Sequence, residues 1–85
     1  MTDDEILGLI KQSLLTTDPD RSGHYEKLQP GWSIEDLGCD SVATLNMVTE
    51  LERRTRVEIP DEDLLTLRDV GDIVALVRRL QEASP

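Results

Sequence analysis

Three stretches of this chain carry apolar side chains at helical spacing, and strong breakers separate them. The first holds Ile6, Leu7, Ile10, Leu14 and Leu15. The second holds Val42, Leu45, Val48 and Leu51, with Met47 four before Leu51. The third holds Val70, Ile73, Val74, Val77 and Leu80. Steps of three and four place each set along one side of a helix. A helix with one apolar side must bury it against another, so the pattern predicts an all-α bundle with almost no sheet. At 85 residues the chain is read as one domain, residues 1–85, with a limited core. With one Trp, one Tyr and no Phe, that core is expected to be aliphatic.

Local signals set the predicted boundaries. Thr2-Asp3-Asp4-Glu5 reads as a capping box, opening a helix over Asp3 to Thr16. From Thr17 to Asp40 no period is visible, and Pro19, Gly23, Pro30, Gly31 and Gly38 interrupt the chain. This is a long first loop, pinned by Leu28, Trp32, Ile34 and Leu37. A second helix is predicted over Ser41 to Arg54. Val57 and Ile59 then turn inward, Pro60 breaks the chain, and Asp61 caps a short turn through Leu65, with Leu64 or Leu67 covering the core. Asp69, with Asp72 three residues on, caps the last helix, and Arg78 and Arg79 fall near its C-terminus, where the dipole favours cations. The expected fold is a small four-helix bundle of three longer helices and one short one, with a long loop between helices one and two.

Charge narrows the partners. The net charge is -9 and charged residues make up 32% of the chain. Nucleic acid and anionic membrane surfaces would both require a basic patch, so neither is expected; proteins with basic docking faces are. Like-charge repulsion also favours a monomer. One Cys excludes an internal disulfide and a thiolate metal cluster. The acidic start, Met1-Thr2-Asp3-Asp4-Glu5, is the reverse of a signal peptide, and no apolar run approaches a membrane span, so the expected location is cytoplasmic. The initial Met and a tail expected to fray at Ala83-Ser84-Pro85 read as a free-standing chain.

The chemistry concentrates at Asp36-Leu37-Gly38-Cys39-Asp40-Ser41-Val42, where an acidic, glycine-containing loop meets the second helix. Asp40 and Ser41 are both good helix-start residues. A phosphodiester on Ser41 would lie at the positive end of the helix dipole, beside unpaired backbone N–H groups. The plainer reading of Ser41 is an ordinary N-cap. Gly38 is expected in a tight or left-handed turn. Cys39 reads as a small residue that happens to be a thiol.

This stretch resembles the D-L-G-x-D-S-L attachment motif of acyl carrier proteins. Val57-Glu58-Ile59-Pro60-Asp61-Glu62-Asp63 resembles the same family's I-E-I-P-D-E-D segment, at the usual separation. The resemblance implies that a separate phosphopantetheinyl transferase moves 4'-phosphopantetheine from coenzyme A onto Ser41, with Asp40 involved in recognition and Gly38 shaping the turn. It also implies partners such as a ketosynthase, an acyltransferase or other biosynthetic enzymes. The expected docking residues are Val42, Leu45, Asn46, Thr49, Glu52 and Arg53. Here the chain departs from the family. Carriers of fatty-acid synthesis bear several acids along this helix, whereas its body here holds only Glu50 and Glu52 as acids, followed by Arg53 and Arg54. That departure points to a dedicated pathway with its own docking code, polyketide or mixed polyketide–peptide synthesis being the natural guess.

Three other readings compete. Peptidyl and aminoacyl carriers more often read G-G-H-S or G-G-D-S, where this chain has Gly38-Cys39-Asp40-Ser41. The Asp18-Pro19-Asp20-Arg21-Ser22-Gly23-His24-Tyr25-Glu26 loop spaces oxygen ligands and a glycine like an EF-hand calcium loop, but Gln29 stands where the bidentate Glu belongs and Pro30-Gly31 blocks the exit helix. No metal site is therefore expected, and His24, the only histidine, is expected to be exposed. A plain acidic interaction domain is the third. An enzyme is not expected, because no base–nucleophile constellation is visible.

Overall fold

A computed structural model describes residues 1–83. It shows helix α1 (Asp3–Thr17), a short α2 (Ser22–Tyr25), α3 (Ser41–Thr55), a short α4 (Asp61–Leu64) and α5 (Val70–Ala83). Single 3-10 turns precede α2 at Pro19–Arg21 and α3 at Glu35–Leu37. The expected all-α bundle of long helices is present, with α1 packed along α3 and against α5. Among the described residues the only strand-like pairing is an isolated bridge between Ser33 and Asp69.

Side-chain caps explain where the long helices start. Thr2 Oγ1 accepts from the Glu5 amide at 3.2 Å and Glu5 Oε1 accepts from the Thr2 amide at 2.9 Å, the reciprocal box expected from sequence. The Thr2 backbone N–H, with help from its hydroxyl, holds the Glu5 carboxyl below the usual carboxylate range. Asp69 and Asp72 repeat the arrangement at α5: Asp69 Oδ1 accepts from the Asp72 amide at 2.8 Å, and Asp72 Oδ2 accepts from Arg68 and Asp69. Two end signals were misjudged. Asp61 is the first residue of α4 and makes no side-chain cap. Arg78 and Arg79 are not in the last turn, because α5 continues to Ala83; Arg78 instead pairs with Asp3 of α1 at 2.9 Å. Of the expected frayed tail, Ser84 and Pro85 lie outside the described residues.

Ile6, Ile10 and Leu14 of α1, Met47, Val48 and Leu51 of α3, and Val70, Ile73, Val74, Leu76 and Val77 of α5 fill the core. Val57 and Ile59 turn inward as expected, and Leu64 and Leu67 both pack on the core from outside. The core is not wholly aliphatic. Tyr25 is its largest fully buried side chain, and it comes from the stretch expected to be a polar loop. That stretch is more ordered than its sequence indicates. Leu37 is buried, Leu28, Trp32 and Ile34 pack against the core, and three backbone bonds tie residues 30–34 to the start of α5. In these bonds Ile34 donates to Arg68, Val70 to Trp32 and Gly71 to Pro30, at 3.0, 2.8 and 2.8 Å.

Candidate functional site

The start of α3 is built by its own loop. Ser33 and Asp36 exchange hydrogen bonds between side chain and amide, Asp36 Oδ2 accepting at 2.9 Å and Ser33 Oγ at 3.1 Å. Leu37 drops into the core and acts as an anchor. Gly38 then turns the chain with φ at 70°, the left-handed region where a side chain is disfavoured. Asp40 is the N-cap of α3: its Oδ1 accepts from the Ala43 amide at 2.7 Å. Capping by Asp40 frees Ser41, the first helical residue. Its side chain is exposed, and among the described residues its hydroxyl and the amides of Ser41 and Val42 make no hydrogen bond. The N-cap reading of Ser41 is thereby set aside.

An open groove of about 440 Å³ runs beside Ser41, lined by Cys39, Asp40, Ser41, Thr44, Leu45, Asp61, Leu64 and Leu65. Its lips are apolar: Leu45 is 53% exposed and Leu65 is 89% exposed. Leu65 was missed as a site residue, since its segment has no helical period to mark a face. Of the expected docking residues, Val42, Leu45, Asn46, Thr49 and Arg53 are exposed and fall on one side of α3. Thr49 donates to the Leu45 carbonyl at 2.9 Å, and Arg53 pairs with Glu50 at 3.1 Å. Glu52 has internal work instead: half-buried, its carboxylate accepts from the Ile59 amide at 2.8 Å and holds the chain that leaves α3.

Behind the loop, the segment 18–25 supplies contacts that no sequence period marks. Arg21 Nη1 donates to the Gly38 carbonyl at 2.9 Å and to the Leu37 carbonyl at 3.4 Å. His24 Nε2 lies 2.6 Å from the Asp36 carbonyl. A carbonyl only accepts, so Nε2 carries the hydrogen. His24 is exposed, as expected, and its ring lies on Trp32 with centroids 4.8 Å apart. The Tyr25 hydroxyl donates to Asp18 Oδ2 at 3.2 Å and meets Cys39 Sγ at 3.7 Å. Burial, reinforced by the Cys39 thiol and by Asp18, pushes the Tyr25 hydroxyl well above its ordinary pKa. Asp18 is thus committed to Tyr25 and to Arg21, at 3.8 Å. The Asp18–Glu26 stretch winds into helical turns, and among the described residues no three carboxylate, imidazole or thiol groups converge as a metal cage.

Residues 26–77 match the family described as "Phosphopantetheine attachment site". The chain belongs to this family. Its members carry covalently attached 4'-phosphopantetheine, and an exposed, unbonded serine hydroxyl at a helix start is a fitting acceptor for it. Among relatives, the meromycolate extension acyl carrier protein of Mycolicibacterium aurum is 42% identical over 52 residues, 61% of this chain and 54% of that protein. An acyl carrier protein of Rhodococcus erythropolis is 42% identical over 48 residues, 56% of this chain and 53% of that protein. One from Akkermansia muciniphila is 42% identical over 48 residues, 56% of this chain and 60% of that protein. The chain thus spans about half the length of the curated relatives it matches. Acyl carrier proteins are modified by phosphopantetheinyl transferases, interact with biosynthetic enzymes and are generally non-catalytic. No helix among the described residues is long and apolar enough to cross a membrane.

Proposed function

We propose that the chain is an acyl carrier whose 4'-phosphopantetheine arm is attached at Ser41. The observation that carries this reading is the division of labour at α3: Asp40 performs the cap, and Ser41 keeps an exposed hydroxyl with no competing bond. In loading, Ser41 Oγ attacks the phosphorus that bears the pantetheine group of coenzyme A. The pyrophosphate P–O bond breaks, adenosine 3',5'-bisphosphate leaves, and the hydroxyl proton passes to a base on the transferase. No group beside Ser41 needs to act as that base. Once attached, the arm's terminal thiol holds acyl groups as thioesters.

The rest of the chain presents that arm. The exposed Val42, Leu45 and Leu65 form an apolar rim around Ser41, and Asp40 and Asp61 give it negative charge, a surface suited to brief docking by enzymes with basic faces. Tethering raises the effective substrate concentration at each partner. Transferase, ketosynthase and acyltransferase are the expected partner classes, and the chain itself supplies no catalysis. The names of the relatives favour acyl cargo over aminoacyl cargo, in fatty-acid-like or polyketide chain building.

Intact mass after incubation with coenzyme A and a broad-specificity phosphopantetheinyl transferase tests this. The wild-type chain gains one phosphopantetheine and Ser41→Ala gains none while keeping its helical circular dichroism. A loaded Ser41→Ala protein, or an unmodified wild type beside a modified control carrier, would overturn it.

A further inference from the structure

Four consecutive residues ahead of the Asp40-Ser41 start, Asp36 to Cys39, are each touched by a side chain from Arg21, His24 or Tyr25. His24 takes the Asp36 carbonyl, Arg21 the carbonyls of Leu37 and Gly38, and Tyr25 the Cys39 thiol. These bonds bridge 12 to 17 residues of sequence. Tyr25 is fully buried, so the segment that carries the three is anchored in the core. Gly38 completes the fit, because a Cβ at that position would fall on the Arg21 guanidinium. Residues 21, 24 and 25 all lie outside the family-matched stretch 26–77. One forked guanidinium nitrogen and one imidazole therefore hold three successive carbonyls of the turn, those of Asp36, Leu37 and Gly38.

We propose that Arg21, His24 and Tyr25 form a clasp of positioning residues that holds the Ser41 hydroxyl in the pose the transferase requires. This rests on Ser41 being the attachment residue. None of the three touches Ser41; they act through the peptide units of Asp36 to Cys39. A loop free to rotate about Gly38 would present Asp40 and Ser41 in many orientations, and only a fraction of them would suit in-line attack. The clasp removes those alternatives before the enzyme arrives, so its loss is read in the rate of loading at saturating carrier rather than in carrier binding alone.

The test is steady-state loading with coenzyme A and a broad-specificity transferase, the apo carrier being the varied substrate, alongside hydrogen exchange at the amides of Cys39 to Val42. Arg21 is half exposed, with 48% of its side chain accessible, so Arg21→Ala opens no cavity. It is expected to lower kcat on the order of tenfold, to speed exchange at Cys39 to Val42, and to leave helical circular dichroism unchanged. Arg21→Lys restores part of the rate, since an ammonium also donates to carbonyls but lacks the fixed planar geometry of the guanidinium. His24→Ala gives a smaller loss in the same direction. If the wild type loads through Ser41 while Arg21→Ala and His24→Ala load at its rate, the clasp is overturned and the attachment stands. A rate loss matched by loss of helical signal would likewise overturn it. Loading of Ser41→Ala would remove the attachment reading and the clasp with it.

Discussion

The apolar side chains of α3, which the sequence spacing groups in one stripe, fall on two sides of the helix, one covered and one open. Met47, Val48 and Leu51 are buried in the core, whereas Val42 and Leu45, nearer Ser41 and on the other side of the helix, are 66% and 53% exposed. Spacing decides which side of a helix a residue occupies; the neighbours decide whether that side is covered. The C-terminal half has α1 alongside, braced by Arg54, which reaches Gln12 at 3.1 Å and Thr16 at 2.9 Å. The N-terminal half faces the open groove beside Leu65. An exposed apolar pair at the tip of an otherwise strongly charged chain is what a transient docking surface requires.

That contrast can be broken by mutation, and the largest effect is expected at its buried end. Leu51→Ala should cost about 2–5 kcal/mol, because it leaves a cavity among packed neighbours. Leu45→Ala should fall within about 0.5 kcal/mol and show its effect in partner reactions instead. Urea unfolding followed by circular dichroism separates the two, and equal costs would mean that Leu45 is core. The acids and bases of α3 sharpen the comparison. Glu52→Ala should destabilise by roughly 1–2 kcal/mol, since it leaves the Ile59 amide without its acceptor, while Arg53→Gln should change stability by less than about 0.5 kcal/mol, its ion pair being exposed. A Glu52→Ala protein as stable as wild type, yet slower with every partner, would return Glu52 to the docking face. The smallest effect is a gain. Arg56 ends α3 with φ at 59°, and Arg56→Gly should raise stability by up to about 1 kcal/mol in the same unfolding experiment; a loss would show that the Arg56 side chain contributes more than its strained backbone costs.

What was legible in the sequence was local. Thr2 with Glu5, Asp69 with Asp72, and Asp40 at the head of α3 all act within four residues, and short-range chemistry of that kind can be read from order alone. The family was legible through two short motifs, Asp36–Val42 and Val57–Asp63, and residues 26–77 match it. The stretch 18–25 was not. Tyr25 is buried, and Arg21 and His24 bond the Asp36–Gly38 turn, across distances in sequence that no period encodes. Arg78 looked like a helix terminus because its partner, Asp3, is 75 residues away. Glu52 looked like a surface acid because its acceptor role depends on how the chain folds back after Arg56. In each case a polar side chain found a backbone or ionic partner brought near only by packing of the core.

The contacts of Met1 carry a practical meaning. Gln81 Nε2 donates to Met1 Sδ at 3.6 Å, and Met1 and Gln81 share a surface hollow with Thr55 and Arg56 at the far end of α3. The first and last described turns thus meet at one pole of the molecule, and Ser41 stands at the other, about 22 Å away along a fifteen-residue helix. A tag, a bead or a neighbouring domain joined through either of those turns would hold the protein like a lamp by its base, leaving the serine turned outward and unobstructed.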